Sequence, residues 1–188
     1  MNTYDFVHLS LLAMGGSIRG KTKLQKTIYF LGKLSGCIDE LGYRPHYYGP
    51  YSPDIAEAAD RLRSLGFLNQ TVSTGGWVDS HGFEVARYDF SLNEDGCRVA
   101  KAKARRESKL WKKLTQAANA LKKAGNVDYV ELSIAAKTDF MLRKKGKAKI
   151  DELVKLAGAF GWTVKKPEVA KAAKFLESLD LVEIAAQD

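Results

Sequence analysis

Two stretches of the same pattern decide the predicted fold, Gly-Lys-Thr-Lys-Leu at residues 20–24 and Gly-Lys-Ala-Lys-Ile at residues 146–150. Each begins an amphipathic segment, and downstream of each a proline opens a second helix, at residues 53–56 and 167–170. A helix, a turn, a second helix and an extended apolar exit are the plan of a helix-turn-helix or winged-helix unit. The sequence therefore predicts an internal repeat of this unit, with about a dozen extra residues between the helices of the first copy.

These segments predict a mainly α-helical fold with a small β-hairpin. We expect three parts, which are short enough to pack as one domain: a winged-helix-like unit over residues 1–92, a long basic connecting helix over 93–126, and a second helix-turn-helix-like unit over 127–188. In the first unit, Ser52 is the expected N-cap of the helix that begins at Pro53, and Gly66 is its expected stop. The hairpin is expected to turn at Gly75-Gly76.

The composition is that of an ordinary globular protein. The chain has 188 residues, of which 45% are hydrophobic, enough to bury one good core or two small ones. No apolar run approaches the ~20 residues of a membrane span, and the N-terminus lacks the basic start of a signal peptide. Cys37 and Cys97 are isolated thiols, which suit a reducing compartment and form neither a disulfide framework nor a metal motif. We therefore expect a cytoplasmic protein without membrane association, metal or cofactor.

The net charge of +8 is concentrated in the predicted connecting helix. Residues 93–126 carry ten Lys or Arg side chains against three Asp or Glu, whereas residues 1–92 are balanced. Five of these cations recur at steps of three and four residues and so share a helical face: Arg98, Lys101, Arg105, Lys109 and Lys112. Such a face attracts polyanions, although a solvated helix that only keeps the protein soluble would show the same pattern.

A second group of basic residues lies in the second unit. The cations before its first helix are Arg143, Lys144, Lys145 and Lys147, where a plain lysine-rich turn is the alternative interpretation. Its second helix adds Lys171 and Lys174. The matching helix of the first unit instead carries three carboxylates, Asp54, Glu57 and Asp60. Because carboxylates that face phosphates weaken binding, we expect the basic helix and the second unit to make any DNA contacts.

Residues 15–22 satisfy the P-loop pattern G-x-x-x-x-G-K-T, with Lys21 and Thr22 at the phosphate-binding and magnesium-binding positions. That chemistry needs a buried strand before the loop and a parallel sheet around it. The sequence shows no alternating series of strands and helices from which such a sheet is built. A glycine-rich turn between two helices is therefore the favoured interpretation, and nucleotide binding is a minor alternative.

Two motifs give the chain a family resemblance. Lys-Leu-Gln-Lys-Thr-Ile-Tyr-Phe at residues 23–30 is followed by Tyr-Tyr-Gly-Pro-Tyr-Ser at residues 47–52, and Leu-x-x-Leu-Gly-Phe-Leu closes the segment at 62–68. Over residues 20–68 the chain resembles the YwgA-like family of uncharacterised prokaryotic proteins, and its K-L-Q-K…G-P pattern also resembles the SocA/Panacea antitoxin-like group. The resemblance implies a mainly helical prokaryotic protein with winged-helix character, found among regulators, toxin–antitoxin modules and phage-related loci. It implies no catalytic residues.

The same motifs predict local contacts. Gln25 and Lys26 lie off the apolar stripe of their helix, free to bond a neighbouring backbone or a partner. Tyr47, Tyr48 and Tyr51 are the predicted partner-binding residues, because tyrosines stack on bases and form hot spots in protein interfaces. Such clusters more often pack beneath a helix, so core packing is the favoured structural interpretation and partner binding the functional one.

Three functions from different classes remain. The first is a DNA-binding winged-helix protein, a transcriptional regulator that contacts the phosphates of double-stranded DNA through its basic helix. The second is a protein-binding antitoxin or a phage- or defence-associated module. The third, which rests only on residues 15–22, is a P-loop-type nucleotide binder. We predict no enzymatic activity, and we expect a homodimer if paired operator half-sites are read, unless the internal repeat replaces it.

Overall fold

The structure is a computed structural model that describes residues 2–78, 84–125 and 127–185. Eight α-helices and three β-strands lie within these ranges: α1 (Thr3–Ala13), β1 (Ser17–Arg19), α2 (Lys21–Ser35), α3 (Pro53–Ser64), β2 (Leu68–Val78), β3 (Glu84–Leu92), α4 (Glu94–Arg106), α5 (Ser108–Lys123), α6 (Tyr129–Lys145), α7 (Ile150–Ala159) and α8 (Lys166–Ser178). A short 3₁₀ turn, Ile38–Leu41, lies between α2 and α3. The mainly helical class is therefore as predicted.

Local sequence signals fix the two ends of α3. The Ser52 hydroxyl accepts a hydrogen bond from the Ile55 N–H at 3.2 Å, and Pro53 is the first helical residue. After the helix, Gly66 adopts a φ of 74°, the left-handed conformation that glycine reaches without strain. The predicted cap and stop are both confirmed.

The three strands form an antiparallel sheet in the order β1-β3-β2. Ile18 of β1 lies opposite Phe90 of β3, and both side chains are buried together with Leu68 of β2. One face of the sheet therefore contributes to the core. The predicted hairpin corresponds to β2 and β3, whereas the sequence does not predict β1. A strand of three residues has no readable alternation, and β1 exists through its pairing with β3.

The predicted hairpin turn at Gly75-Gly76 is wrong. Both glycines lie inside β2, which continues to Val78. Thr74 pairs with Ala86 and Val78 pairs with Glu84, so the pairing register shifts between these positions. Between these pairs β2 has two more residues than β3, so the strand bulges locally, and glycine tolerates the irregular backbone that results. The connection between the strands, residues 79–83, is outside the described residues.

The predicted long basic helix is two helices. α4 ends at Arg106 and α5 begins at Ser108, while Glu107 between them has φ −100° and ψ 47°, outside the helical region. The cause is tertiary, because α4, which buries Ala100 and Ala104, packs against α1, whereas α5 packs mainly against α2. Because the chain bends at Glu107, α4 can pack against α1 while α5 packs against α2. The prediction of one continuous helix over 93–126 is therefore wrong.

The two predicted repeat units differ in structure. In the first, residues 21–24 form the first turn of α2, whereas in the second, residues 146–149 connect α6 to α7. Over 127–185, the second unit contains no β-strand. α3 and α8 do correspond, since each has a proline in its first turn. A common origin of the two units stays a prediction.

The buried apolar side chains form one continuous cluster, to which every described helix contributes. α2 lies at its centre, where Ile28, Phe30 and Leu31 are fully buried and the helix packs against α5 and α6. The described parts of residues 1–92, 93–126 and 127–188 therefore share one core. In the described ranges, no helix combines the length and apolarity needed to cross a bilayer.

Gly96 tests how α4 is docked. Its carbonyl oxygen accepts a hydrogen bond from His8 Nε2 at 2.8 Å, and a Cβ atom placed on Gly96 would lie 2.0 Å from the Phe67 carbonyl oxygen. We expect Gly96→Ala to lower the free energy of unfolding by at least ~2 kcal/mol, because the backbone must move to make room. Urea unfolding curves measure this change.

Gly158→Ala in α7 is the matched control. A Cβ atom on Gly158 would meet nothing within 4 Å. This substitution is therefore expected to raise the free energy of unfolding by up to ~1 kcal/mol, since alanine favours a helix over glycine. Equal stability of the two variants would contradict the close contact at Gly96.

Candidate functional site

The first candidate site is a basic surface on α4 and α5. The acidic residues Glu94 and Asp95 occupy the first turn of α4, and cations fill its later turns, which complements the helix dipole. We call the five predicted contact residues the basic surface, and all are exposed: Arg98, Lys101, Arg105, Lys109 and Lys112. Arg98 pairs with Asp95 at 2.7 Å. The other four make no ion pair with any described residue.

Other cations of the same segment hold α4 against α1. Lys103 Nζ lies 2.5 Å from Asp5 Oδ1 and 4.1 Å from the centre of the Tyr4 ring. The Arg106 guanidinium lies 3.8 Å from Asp5 and 3.4 Å from Glu107. The five cations that recur at spacings of three and four residues therefore face solvent, whereas Lys103 and Arg106, which lie outside that spacing, pair with Asp5. The basic surface, together with Lys113 and Lys123 of α5, is available to a polyanion.

The cations at the end of α6 mostly have partners within the protein. α6 extends to Lys145, so these cations lie in its last turn and not in the lysine-rich turn that was the alternative interpretation. Arg143 forms an ion pair with Asp39, and Lys145 Nζ lies 3.1 Å from Glu152. Lys144 Nζ lies over the rings of two phenylalanines, 5.4 and 5.3 Å from their centres.

The remaining predicted cations are split between paired and unpaired side chains. Lys171 forms an ion pair with Glu131. Lys147, in the loop before α7, and Lys174, on α8, are exposed and make no ion pair with the part of the chain that the structure describes. The second group therefore offers less free positive charge than the basic surface.

The exposed face of α3 carries three carboxylates, Asp54, Glu57 and Asp60, beside Arg61 and Arg63. Arg63 lies 3.5 Å from Asp60, so part of its charge is neutralised within the helix. This face has no excess of cations with which to hold phosphates.

The second candidate site joins α2 to residues 43–52, which we call the tyrosine loop. Gln25 bonds the backbone of Ser52 twice: its Nε2 donates to the carbonyl oxygen at 2.9 Å, and its Oε1 accepts from the N–H at 3.1 Å. Lys26 Nζ donates to the Pro50 carbonyl oxygen at 2.6 Å. Both side chains are buried. Of the two predicted roles, bonding a neighbouring backbone or bonding a partner, the structure shows the first.

Lys26 is a buried lysine with a strongly altered ionisation. It is 2% exposed, and its pKa is lowered to about 7, first by burial and second by the positive charge of Lys137 on α6. Gly49, with a φ of 103°, packs against both lysines. A Cβ atom on Gly49 would lie 3.0 Å from Lys137 Cγ and 3.5 Å from Lys26 Cε. The loop therefore needs glycine here for its conformation and for this close packing.

The tyrosine loop presents two side chains to solvent. Tyr47 and Tyr48 are 74% and 60% exposed, with their ring centres 4.9 Å apart in an edge-to-face arrangement. Tyr51 is half-buried, and its ring centre lies 4.9 Å from that of His46. Core packing is therefore wrong for Tyr47 and Tyr48. Trp162, which lies between α7 and α8, holds the tyrosine loop in place, because its Nε1 donates a hydrogen bond to the His46 carbonyl oxygen at 2.6 Å.

Residues 15–22, which match the P-loop pattern, follow a helix and not a buried strand. They include β1 and the first residues of α2, and β1 belongs to an antiparallel sheet. The Gly20 N–H donates to the Tyr88 carbonyl oxygen at 3.0 Å, and Lys21 Nζ lies 3.8 Å from the centre of the Tyr88 ring. Nothing in this geometry adds support to the nucleotide-binding alternative.

The chain is similar to the uncharacterized protein YwgA of Bacillus subtilis (strain 168), with 34% identity over 89 residues. The aligned part is 47% of this chain and 48% of that protein, so the chain spans about half the length of the curated relative that it matches. No protein-family model matches the chain. The similarity supports the resemblance to the YwgA-like family, whereas the SocA/Panacea pattern stays a prediction.

The lowered pKa of Lys26 predicts that stability depends on pH. Below about pH 7 the ammonium is charged in the folded and unfolded chains alike, and its burial opposes folding in full. Between this pH and the ordinary lysine pKa of 10.5, only the unfolded chain retains the proton. The free energy of unfolding therefore rises with pH in this window, by at most ~1.4 kcal/mol per pH unit.

We expect Lys26→Met to flatten this rise in urea unfolding measured from about pH 7 to pH 9.5. Part of the slope persists, because the pKa of Lys137 is also lowered, mainly by burial. Lys155→Met is the matched control, since Lys155 is exposed on α7 and its replacement leaves the slope unchanged. A flat wild-type profile, or the same flattening in both variants, would contradict the assignment to Lys26.

Proposed function

We propose that this protein is a DNA-binding protein of winged-helix type, a transcriptional regulator that contacts the phosphates of double-stranded DNA through the basic surface. One observation carries the proposal: α4 and α5 expose seven cations that have no ion-pair partner among the described residues, and four of them belong to the basic surface, Lys101, Arg105, Lys109 and Lys112. Such side chains neutralise phosphates without first breaking an ion pair, and the released counterions favour binding.

The order of elements in residues 1–92 supports the winged-helix part of the proposal. A helix, a strand, two helices and two strands follow one another, and β3 lies between β1 and β2. In a winged-helix unit the last two strands form the wing and the helix before them enters the groove, here α3. Because α3 exposes carboxylates, we infer that phosphate contacts from α4 and α5 dominate and that sequence preference is modest.

Charge reversal at the basic surface tests DNA binding. We expect Arg105→Glu combined with Lys109→Glu to weaken binding to a labelled random duplex at least ~10-fold, for all sequences alike. The slope of log affinity against log salt flattens by about 1.8, since each lost phosphate contact removes about 0.9. Fluorescence anisotropy at about 50 and 200 mM salt measures both quantities.

Arg44→Glu combined with Lys155→Glu is the matched control, because it changes the net charge equally on exposed side chains outside α3, α4 and α5. Its affinity stays within about twofold of the wild type if phosphates are held by α4 and α5. Equal weakening by both double variants would indicate a nonspecific charge effect. Absence of binding by the wild type at low salt would refute the proposal.

The exposed tyrosines favour a second candidate, a protein-binding module such as an antitoxin or a phage- or defence-associated protein. Tyr47 and Tyr48 present large rings on a loop that Lys26, Gln25 and Trp162 hold in place. Aromatic side chains on a fixed support are typical of interface hot spots.

Purification from native cells in high salt distinguishes the DNA-binding protein from the protein-binding module. A partner protein that is retained by the wild type and lost when Tyr47→Ser and Tyr48→Ser are combined favours the protein-binding module.

A further inference from the structure

A cleft lies where α1, α2, α5, α6 and α8 meet, away from the basic surface and the tyrosine loop. We call it the junction cleft, and its volume is ≈ 180 Å³. Most of its wall is apolar, formed by Met14, Leu121, Val127, Leu132 and Phe175. Small-molecule sites in proteins have this character, with apolar walls and a few polar groups that fix orientation.

Three polar side chains line the junction cleft, Lys23, Thr27 and Lys122, and they give it a preference for an anionic group. Thr27 lines the cleft and is 2% exposed, and its hydroxyl makes no hydrogen bond to a described residue. The hydroxyl can therefore donate a hydrogen bond to a ligand in the cleft. Lys122 also lines the cleft, and its Nζ donates to the Ala13 carbonyl oxygen at 3.0 Å. That bond uses one of the three donors of the ammonium group.

We propose that the junction cleft binds a small apolar monocarboxylic acid of about the size of benzoate. An engineered apolar cavity of ~150 Å³ takes benzene. A volume of ≈ 180 Å³ therefore accommodates a six-membered ring with one carboxylate. The ring contacts the apolar wall, and the carboxylate accepts hydrogen bonds from Lys122 and Thr27.

A ligand in the junction cleft contacts helices from all three parts of the chain. α1 and α2 belong to residues 1–92, α5 to residues 93–126, and α6 and α8 to the last part. Because the cleft exists only when these helices are packed together, the ligand stabilises the folded arrangement by mass action. Binding to the cleft is independent of DNA binding and is measured without nucleic acid.

Isothermal titration calorimetry of the full chain with sodium benzoate, at constant ionic strength, tests the proposal. We expect saturable binding of one molecule with a Kd on the order of 1 mM. Benzyl alcohol, which has the ring without the charge, binds about 10-fold more weakly, and benzylamine does not bind. Equal binding of all three compounds, or no saturation by benzoate up to about 20 mM, would overturn the proposal.

Variants locate the site. Lys122→Gln is expected to weaken benzoate binding about 10-fold, whereas Lys123→Gln, which removes an exposed neighbouring charge outside the cleft, leaves it unchanged. Thr27→Val keeps the side-chain shape and weakens binding about threefold, because the hydroxyl donor is lost. Equal effects of Lys122→Gln and Lys123→Gln would place the anion on the general positive surface and refute the cleft.

Discussion

Helix α2 carries polar side chains into the middle of an apolar core, and the elements around it supply their partners. Gln25 and Lys26 bond carbonyl and N–H groups of the tyrosine loop, and the Tyr29 hydroxyl donates to Asp139 of α6 at 2.5 Å. A buried polar group left without a partner costs on the order of 1–3 kcal/mol. The tyrosine loop and α6 are therefore constrained to the positions in which these hydrogen bonds form.

Charge balance reinforces the contact between α2 and α6. Asp139 is 1% exposed, and Lys33 Nζ lies 3.0 Å from its carboxylate, so a buried anion has a cation beside it. Burial and the Asp139 charge raise the pKa of Tyr29, so its hydroxyl remains a hydrogen-bond donor. Lys137, two residues before Asp139, meets Lys26 with the same sign of charge. The interface between α2 and α6 thus contains one attractive charge pair, Lys33 with Asp139, and one repulsive pair, Lys26 with Lys137.

Features with a local cause could be predicted from the sequence. Ser52, Pro53 and Gly66 mark the ends of α3 because capping and left-handed termination depend on neighbouring backbone groups. The exposure of the basic surface likewise follows from helical spacing. The break at Glu107 and strand β1 could not be predicted, because each depends on packing with distant elements. The exposure of Tyr47 depends on a loop held by Trp162, whose hydrogen-bond partner is 116 residues away.

The docking of α4 has a mechanical consequence. Asn93 Nδ2 donates to the Gly66 carbonyl oxygen at 2.6 Å, and the Gly96 backbone meets the Phe67 carbonyl with no side chain between them. A contact between two backbones has no rotamers with which to absorb a displacement. α4 therefore cannot roll or slide without moving the end of α3. A displacement of α4 is therefore transmitted to the end of α3 and to the start of β2, and these three elements are expected to move together.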